Sequence, residues 1–231
     1  MEIDNNLWQR FKDGLELIIS SYKSRMGDPD AWEKTIQKFE SHDRLHPPDK
    51  DSILFIGSSS FTFWSTLEQD MAPLPVINRG FGGSHMHDMV RYLDRIVLPY
   101  KPRAVVLFAG TNDIVEDNLV LSDRVFEGYQ EFISRVRSAL PEVFIYFVAI
   151  TPTPTRWKYW PIAAETNQLI QEFTQSDSQL DYIDFSEQLL GKDGKPDRSL
   201  YKLDGIHPNQ KCYVKWTTAI KNQLEEDISF D

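Results

Sequence analysis

The sequence predicts an α/β domain built on a parallel sheet with helices on both faces, and three observations carry that expectation. From Asp51 onward, apolar runs of strand length alternate with amphipathic stretches of helical period, as parallel strands joined by crossover helices require. Polar, glycine-bearing clusters follow these runs, where the loops of such a sheet converge. The chain has 231 residues, 41% hydrophobic and 26% charged, enough to bury a full core without disulfides or a structural metal.

Taken in order, Leu7, Trp8, Phe11, Leu15, Ile18, Ile19 and Tyr22 recur at helical spacing. A second, shorter stripe of Trp32, Ile36 and Phe39 ends before Pro47 and Pro48. Residues 1–50 therefore read as an N-terminal helical extension packed on the outside of a main domain, residues 51–231, with a lid or dimer arm as the other use. Strands are expected over 52–56, 76–78, 104–108, 144–150 and 181–183. Between them, Met86, Met89, Val90, Leu93 and Val97 form one crossover stripe, and the run from Val125 through Tyr129 and Ile133 to Leu140 a second. Leu169, Ile170 and Phe173 suggest a third, and Tyr213, Trp216, Ile220 and Leu224 a closing helix.

Composition excludes several classes of function. A net charge of -10 repels nucleic acid and anionic membrane surfaces at long range. Cys212 is the only cysteine, so no intrachain disulfide forms, and its helical setting offers nothing to stabilise a thiolate. No internal repeat or low-complexity stretch divides the chain. Its first residues are acidic and polar, and no apolar run approaches the roughly 18 residues of a membrane span, so the expectation is a cytoplasmic protein without an integral membrane segment. Neither a cofactor nor a metal is expected, and the oligomeric state stays open.

The chemistry lies in the polar clusters. Gly57-Ser58-Ser59-Ser60 follows the first strand, Arg79 to Ser84 the second, Gly110-Thr111-Asn112-Asp113 the third and Thr151 to Trp160 the fourth, while Asp204-Gly205-Ile206-His207 lies near the end. A serine hydroxyl needs a base within hydrogen-bond reach and donors aimed at the oxygen that becomes negative. The DxxH spacing lets one turn hold Asp204 against one nitrogen of His207, leaving the other nitrogen free to take a serine's proton. Ser59, with its own N–H facing the crevice, is the preferred nucleophile, with Ser58 and Ser60 as local competitors. The glycines within 78–83 let the backbone approach a ligand closely and present an N–H, and the Asn112 amide can donate to the same oxygen. Each patch has a plain alternative: a helix N-cap, a flexible turn, an Asx turn, a solvated histidine. No GxxxxGK[ST] phosphate loop is present. His85 and His87 lie beside the glycine turn as possible substrate contacts, and the ligand set for a metal is missing there. The 151–160 stretch resembles a binding loop in which Trp157 and Trp160 face an acyl chain or sugar ring, against packing over the sheet edge, and Arg156 meets a carboxylate or phosphate, against an ion pair with a surface acid.

In their order along the chain these patches resemble the SGNH family, the GDSL-type esterases and lipases. Ser59 matches the serine of block I, Gly83 the second glycine of block II, Asn112 the asparagine of the block III GxN, and Asp204 and His207 the block V DxxH. The resemblance covers 52–224. Ser58 stands where the commonest block I carries aspartate, as in a GSSS variant with a downstream tryptophan that Trp64 fits; similarity to platelet-activating-factor acetylhydrolase types is clearest at 80–83. The resemblance implies a flavodoxin-like three-layer sandwich with a central five-stranded parallel sheet. It also implies a serine esterase with Ser59, His207 and Asp204 as catalytic residues, the Ser59 and Gly83 N–H groups and Asn112 as oxyanion donors, and a small-molecule, lipid or sugar ester as substrate. A carbohydrate O-deacetylase using the same groups is the nearest alternative. A noncatalytic carbohydrate- or partner-binding module is a further one, against which the intact Ser59, Asp204 and His207 weigh.

Overall fold

The computed structural model describes residues 5–49, 51–115 and 121–227. Strands β1 (Ile53–Gly57), β2 (Val76–Gly80), β3 (Ala104–Phe108), β4 (Phe144–Val148) and β5 (Leu180–Ile183) are all parallel and lie side by side in the order β2-β1-β3-β4-β5. This is the doubly wound arrangement the sequence pattern implies, and its chain reverses winding direction between β1 and β3. At such a switch point the loops leaving the two strands diverge and open a crevice beyond their carboxyl ends.

The helices are α1 (Asn5–Arg25), α2 (Glu33–Leu45), α3 (Ser59–Thr62), α4 (Leu67–Met71), α5 (Met86–Ile96), α6 (Leu121–Ala139), α7 (Trp160–Thr174) and α8 (Gln210–Asp227). Alternate residues of the central strands feed two separate cores, because successive side chains of a strand point to opposite faces. Leu54, Ile56, Val105, Leu107, Ile145 and Phe147 meet Met89 and Leu93 of α5, Tyr129 and Phe132 of α6 and Ile170 of α7 on one face. Phe55, Val106, Phe108, Tyr146 and Val148 meet Phe61, Trp64, Leu67 and the Trp216 and Ile220 of α8 on the other.

Two strand ends differ from the expectation by two residues, and both ends of β1 and the start of β5 by one. β2 runs on to Gly80, and β4 stops at Val148, where the 144–150 run predicts two more residues. The Asn167 side chain of α7 explains the second difference: its Oδ1 accepts from Ile150 N–H at 2.9 Å and its Nδ2 donates to Ile150 O at 3.0 Å, in place of a ladder.

Of the helical extension, the side chains of residues 5–12 lie outside the description, so the Leu7, Trp8 and Phe11 positions of the expected stripe are not compared. Trp32 and Ile36 are fully buried and belong to the core on the α5 face. Arg95 of α5 clamps α2 by pairing with Glu33 at 2.6 Å and Glu40 at 2.7 Å. No described helix is long and apolar enough to cross a membrane.

Candidate active site

Gly57 closes β1 where no larger residue fits: a Cβ there would stand 2.3 Å from the Phe108 carbonyl oxygen. The chain then turns into α3, with Ser58 N–H donating to Phe108 O at 3.2 Å and Phe81 N–H donating to Gly57 O at 2.8 Å. The turn separates the three serines. Ser58 and Ser60 are buried, and Ser60 O accepts from the Tyr213 hydroxyl, whereas Ser59 lines an open cavity of about 660 Å³.

The 202–207 loop reaches the same cavity from the far end of the chain. Lys202 N–H donates to His207 O at 2.8 Å, and Arg198 donates to the carbonyls of Lys202 and Leu203. Asp204 is held within its own turn: Oδ1 accepts from Ile206 N–H at 2.8 Å and His207 N–H at 2.9 Å, while Oδ2 lies 2.8 Å from His207 Nδ1. Partial burial works against this carboxylate's charge, but the His207 ring and the two N–H groups outweigh it and hold its pKa at about 2. His207 Nε2 lies 3.0 Å from Ser59 Oγ, and Phe63 packs edge-to-face on the imidazole with ring centroids 4.9 Å apart. A hydroxyl, an imidazole and a carboxylate thus stand in series.

Donors converge beside Ser59. Gly83 adopts φ +87°, in the left-handed region that favours glycine. Among the described residues, neither the Gly83 N–H nor the Ser59 N–H donates to a protein acceptor. The carbonyls of the turn are tied back instead, Gly83 O by Ser21 Oγ at 3.1 Å and Ser84 O by Asn112 Nδ2 at 2.8 Å. Asn112 Nδ2 keeps a second proton, and Asn112 lines the cavity. Its Oδ1 accepts from Arg156 Nη2 at 3.1 Å, while Arg156 Nη1 donates to Thr111 O at 2.7 Å, which fixes the amide's orientation. Burial draws the Arg156 pKa down and the nearby Asp204 charge pushes it back up.

Ser59, Asp204, His207, Gly83, Asn112 and Arg156 therefore share one cavity, but His85, His87, Trp157 and Trp160, also expected as substrate contacts, are not in its lining. His85 is buried and absent from the lining; its Nδ1 lies 3.1 Å from Ser24 Oγ, which also donates to Asp88 Oδ2 at 2.7 Å. With His87 these groups place three ligating atoms within 4.8 Å, yet Ser24 fills their midst and satisfies them by hydrogen bonding. Trp157 and Trp160 stack on each other at 5.9 Å, and Trp160 opens α7 rather than extending a loop. Trp160 lines a small cavity with Ile114, Ile150 and Ala163, and its half-buried ring packs against the core on the α5 face.

Residues not anticipated as site groups complete the wall: Gly14, Leu17, Ile18, Ser21 and Tyr22 from α1, with Phe63 and Lys202. Gly14 and Ser21, which interrupt the apolar character of α1, are the signal in the sequence that this helix faces more than core.

A serine at the end of the first strand, glycine and asparagine turns beyond the next two, and this sheet define an ester-hydrolysing serine hydrolase. The chain belongs to the GDSL-like Lipase/Acylhydrolase family, which it matches over residues 51–215. Among solved structures it is similar to a Streptococcus pneumonia protein named for platelet activating factor, with TM-score 0.73 and 20% identity over 96% of this chain and 100% of that one. A GDSL-like lipase from Bacteroides thetaiotaomicron gives 0.70 and 16% over 84% and 98%, and a family 3 carbohydrate esterase from Clostridium thermocellum gives 0.61 and 15% over 77% and 96%. No curated protein matches the chain significantly.

Proposed function

We propose that the protein is a serine esterase that hydrolyses carboxylic esters through Ser59, His207 and Asp204 by way of an acyl-enzyme. His207 Nε2 takes the Ser59 proton as Oγ attacks the ester carbonyl carbon, and the carbonyl electron pair moves onto the oxygen. The Ser59 N–H, the Gly83 N–H and the free proton of Asn112 Nδ2 receive that oxyanion. When the carbon–oxygen bond to the alcohol breaks, His207 returns its proton to the leaving oxygen. Water, deprotonated by the same nitrogen, then splits the acyl-enzyme into a carboxylic acid and free Ser59. Asp204 holds the Nδ1–H tautomer and stabilises the imidazolium. In this proposal residues 51–231 carry the reacting groups and residues 1–50 add a wall to the cavity.

The observation that carries the proposal is the 3.0 Å approach of His207 Nε2 to Ser59 Oγ across 148 residues of chain, inside a cavity where two backbone N–H groups have no acceptor among the described residues. The apolar wall of Leu17, Ile18 and Phe63 favours an ester with a hydrocarbon portion over the acetylated sugars of a carbohydrate O-deacetylase. A fluorophosphonate probe should label Ser59, and Ser59→Ala should abolish both labelling and hydrolysis of p-nitrophenyl esters. Labelling at Ser58 or Ser60 would move the nucleophile, and no labelling with no hydrolysis of any ester would favour a noncatalytic binding module.

A further inference from the structure

The family match begins at residue 51, yet a large share of the cavity wall comes from α1. Gly14, Leu17, Ile18, Ser21 and Tyr22 are spaced i, i+3, i+4, i+7 and i+8, which places them on one face of the helix. That face is anchored at one end: Ser21 Oγ donates to Gly83 O at 3.1 Å, and Leu17 Cδ1 stands 3.5 Å from where a Cβ of Gly82 would lie. At the other end Gly14 leaves a notch, since a Cβ built there meets nothing within 4 Å. Glycine weakens a helix interior relative to almost any other residue, so its place in the middle of a 21-residue helix calls for a reason beyond helix formation. Ile18 and Tyr22 stand 68% and 66% exposed on the cavity side, apolar surface left open by the described residues.

The chemistry decides which part of an ester lies there. His207 must reach the leaving oxygen, so the alcohol lies on the imidazole side, next to Phe63 and Lys202. The acyl chain leaves the carbonyl carbon on the opposite flank, toward Gly82 and α1. From Ser21 to Gly14 is about 10 Å along the helix axis, the span of an acyl chain of about eight carbons. We infer that α1, which lies outside the part of the chain matched to the family, is the chain-length-selecting wall of the acyl site, with Gly14 as the notch that admits the far end of a medium-length chain. The inference rests on the esterase proposal above.

The test is Gly14→Leu, read as the ratio of kcat/KM for p-nitrophenyl octanoate to that for p-nitrophenyl acetate. Leucine favours the helix and the notch has room for it, so the fold is not at stake, which circular dichroism verifies. Each buried methylene is worth about fourfold in affinity, so displacing three or four of them should lower the ratio about 100-fold. In a second series, acetates of straight-chain alcohols, the same variant should leave the dependence on alcohol length unchanged. Ile19→Ala, at a position outside the lining, should leave the octanoate-to-acetate ratio in place. An unchanged ratio in Gly14→Leu, or a loss confined to the alcohol series, would overturn the assignment of α1 while leaving the esterase intact. Activity on either series that survives Ser59→Ala would instead sink the esterase proposal and this one with it.

Discussion

Two clusters of serine, histidine and aspartate lie in this molecule, and both place the histidine and aspartate three residues apart. In one, Ser59 Oγ meets His207 Nε2 and Asp204 meets Nδ1, so the hydroxyl proton has an imidazole to go to. In the other, Ser24 Oγ donates straight to Asp88 Oδ2, and the His85 ring lies to the side, 3.5 Å from the same carboxylate. Electrostatics does not separate them. Both carboxyls are held below the ordinary range: burial opposes the charge in each case, and hydrogen bonds from the neighbouring histidine outweigh it. What differs is wiring and access. The first trio opens on a cavity, whereas Ser24, His85 and Asp88 are buried and tie α1 to the start of α5. Residue types alone do not make a nucleophile; the order in which the hydrogen bonds run does.

The comparison breaks most sharply at the two aspartates. Asp204→Asn should lower kcat about 10⁴-fold, because an amide no longer holds His207 in the tautomer that leaves Nε2 free. Asp88→Asn should lower stability and leave kcat on a small ester close to wild type; steady-state kinetics beside a urea titration reads both. Equal losses of kcat in the two variants would mean that the buried trio takes part in the chemistry. A smaller effect sharpens the role of the cavity donors. Asn112→Ala should reduce kcat about 100- to 1,000-fold with little change in KM, the scale of one lost oxyanion donor. A rise in KM alone would make Asn112 a substrate-binding residue.

The sheet was legible because strands buried on both faces must be apolar throughout, as Ile53 to Ile56 and Ala104 to Phe108 are. The loops at the strand ends were legible for a related reason: Gly57, Gly83 and Asn112 each stand where a strand run stops. Placement of α1 was not legible, since a helical stripe shows that a helix buries one face but not what that face meets. Ile18 and Tyr22 serve equally well as core or as cavity wall until Ser21 is seen on the Gly83 carbonyl. His85 misled through proximity. It adjoins the glycine turn in sequence, but the capping box it forms with Asp88 at the start of α5 directs its hydrogen bonding to Ser24 and Asp88. Trp160 misled through composition, because an aromatic after a proline-rich loop reads as a ligand contact and here begins a helix.

The smallest expected effect tests the buried cluster by itself. The Asp88 carboxyl is opposed by burial and stabilised by the His85 ring, by His87, by the His85 N–H and by the Ser24 hydroxyl, with the net result that it titrates below the ordinary range. Its folded pKa is thus lower than the value of about 3.9 in the unfolded chain. A carboxyl shifted this way adds stability that is complete above the unfolded pKa and is lost as pH falls through the folded one. Ser24→Ala removes one of the groups that hold the carboxylate charged, and a hydrogen bond to a charged group contributes about 1.5–3 kcal/mol. Urea unfolding at pH 7 should show a loss of that size. The gap between variant and wild type should then narrow below about pH 4, as the pH falls through the folded pKa and the Asp88 carboxyl of the folded protein takes up its proton, so that the bond to a charged partner is lost. A gap that stays constant across this range would mean that Ser24 stabilises α1 by packing and not through the Asp88 charge. The buried trio would then differ from the one at the cavity in its electrostatics as well as in its wiring.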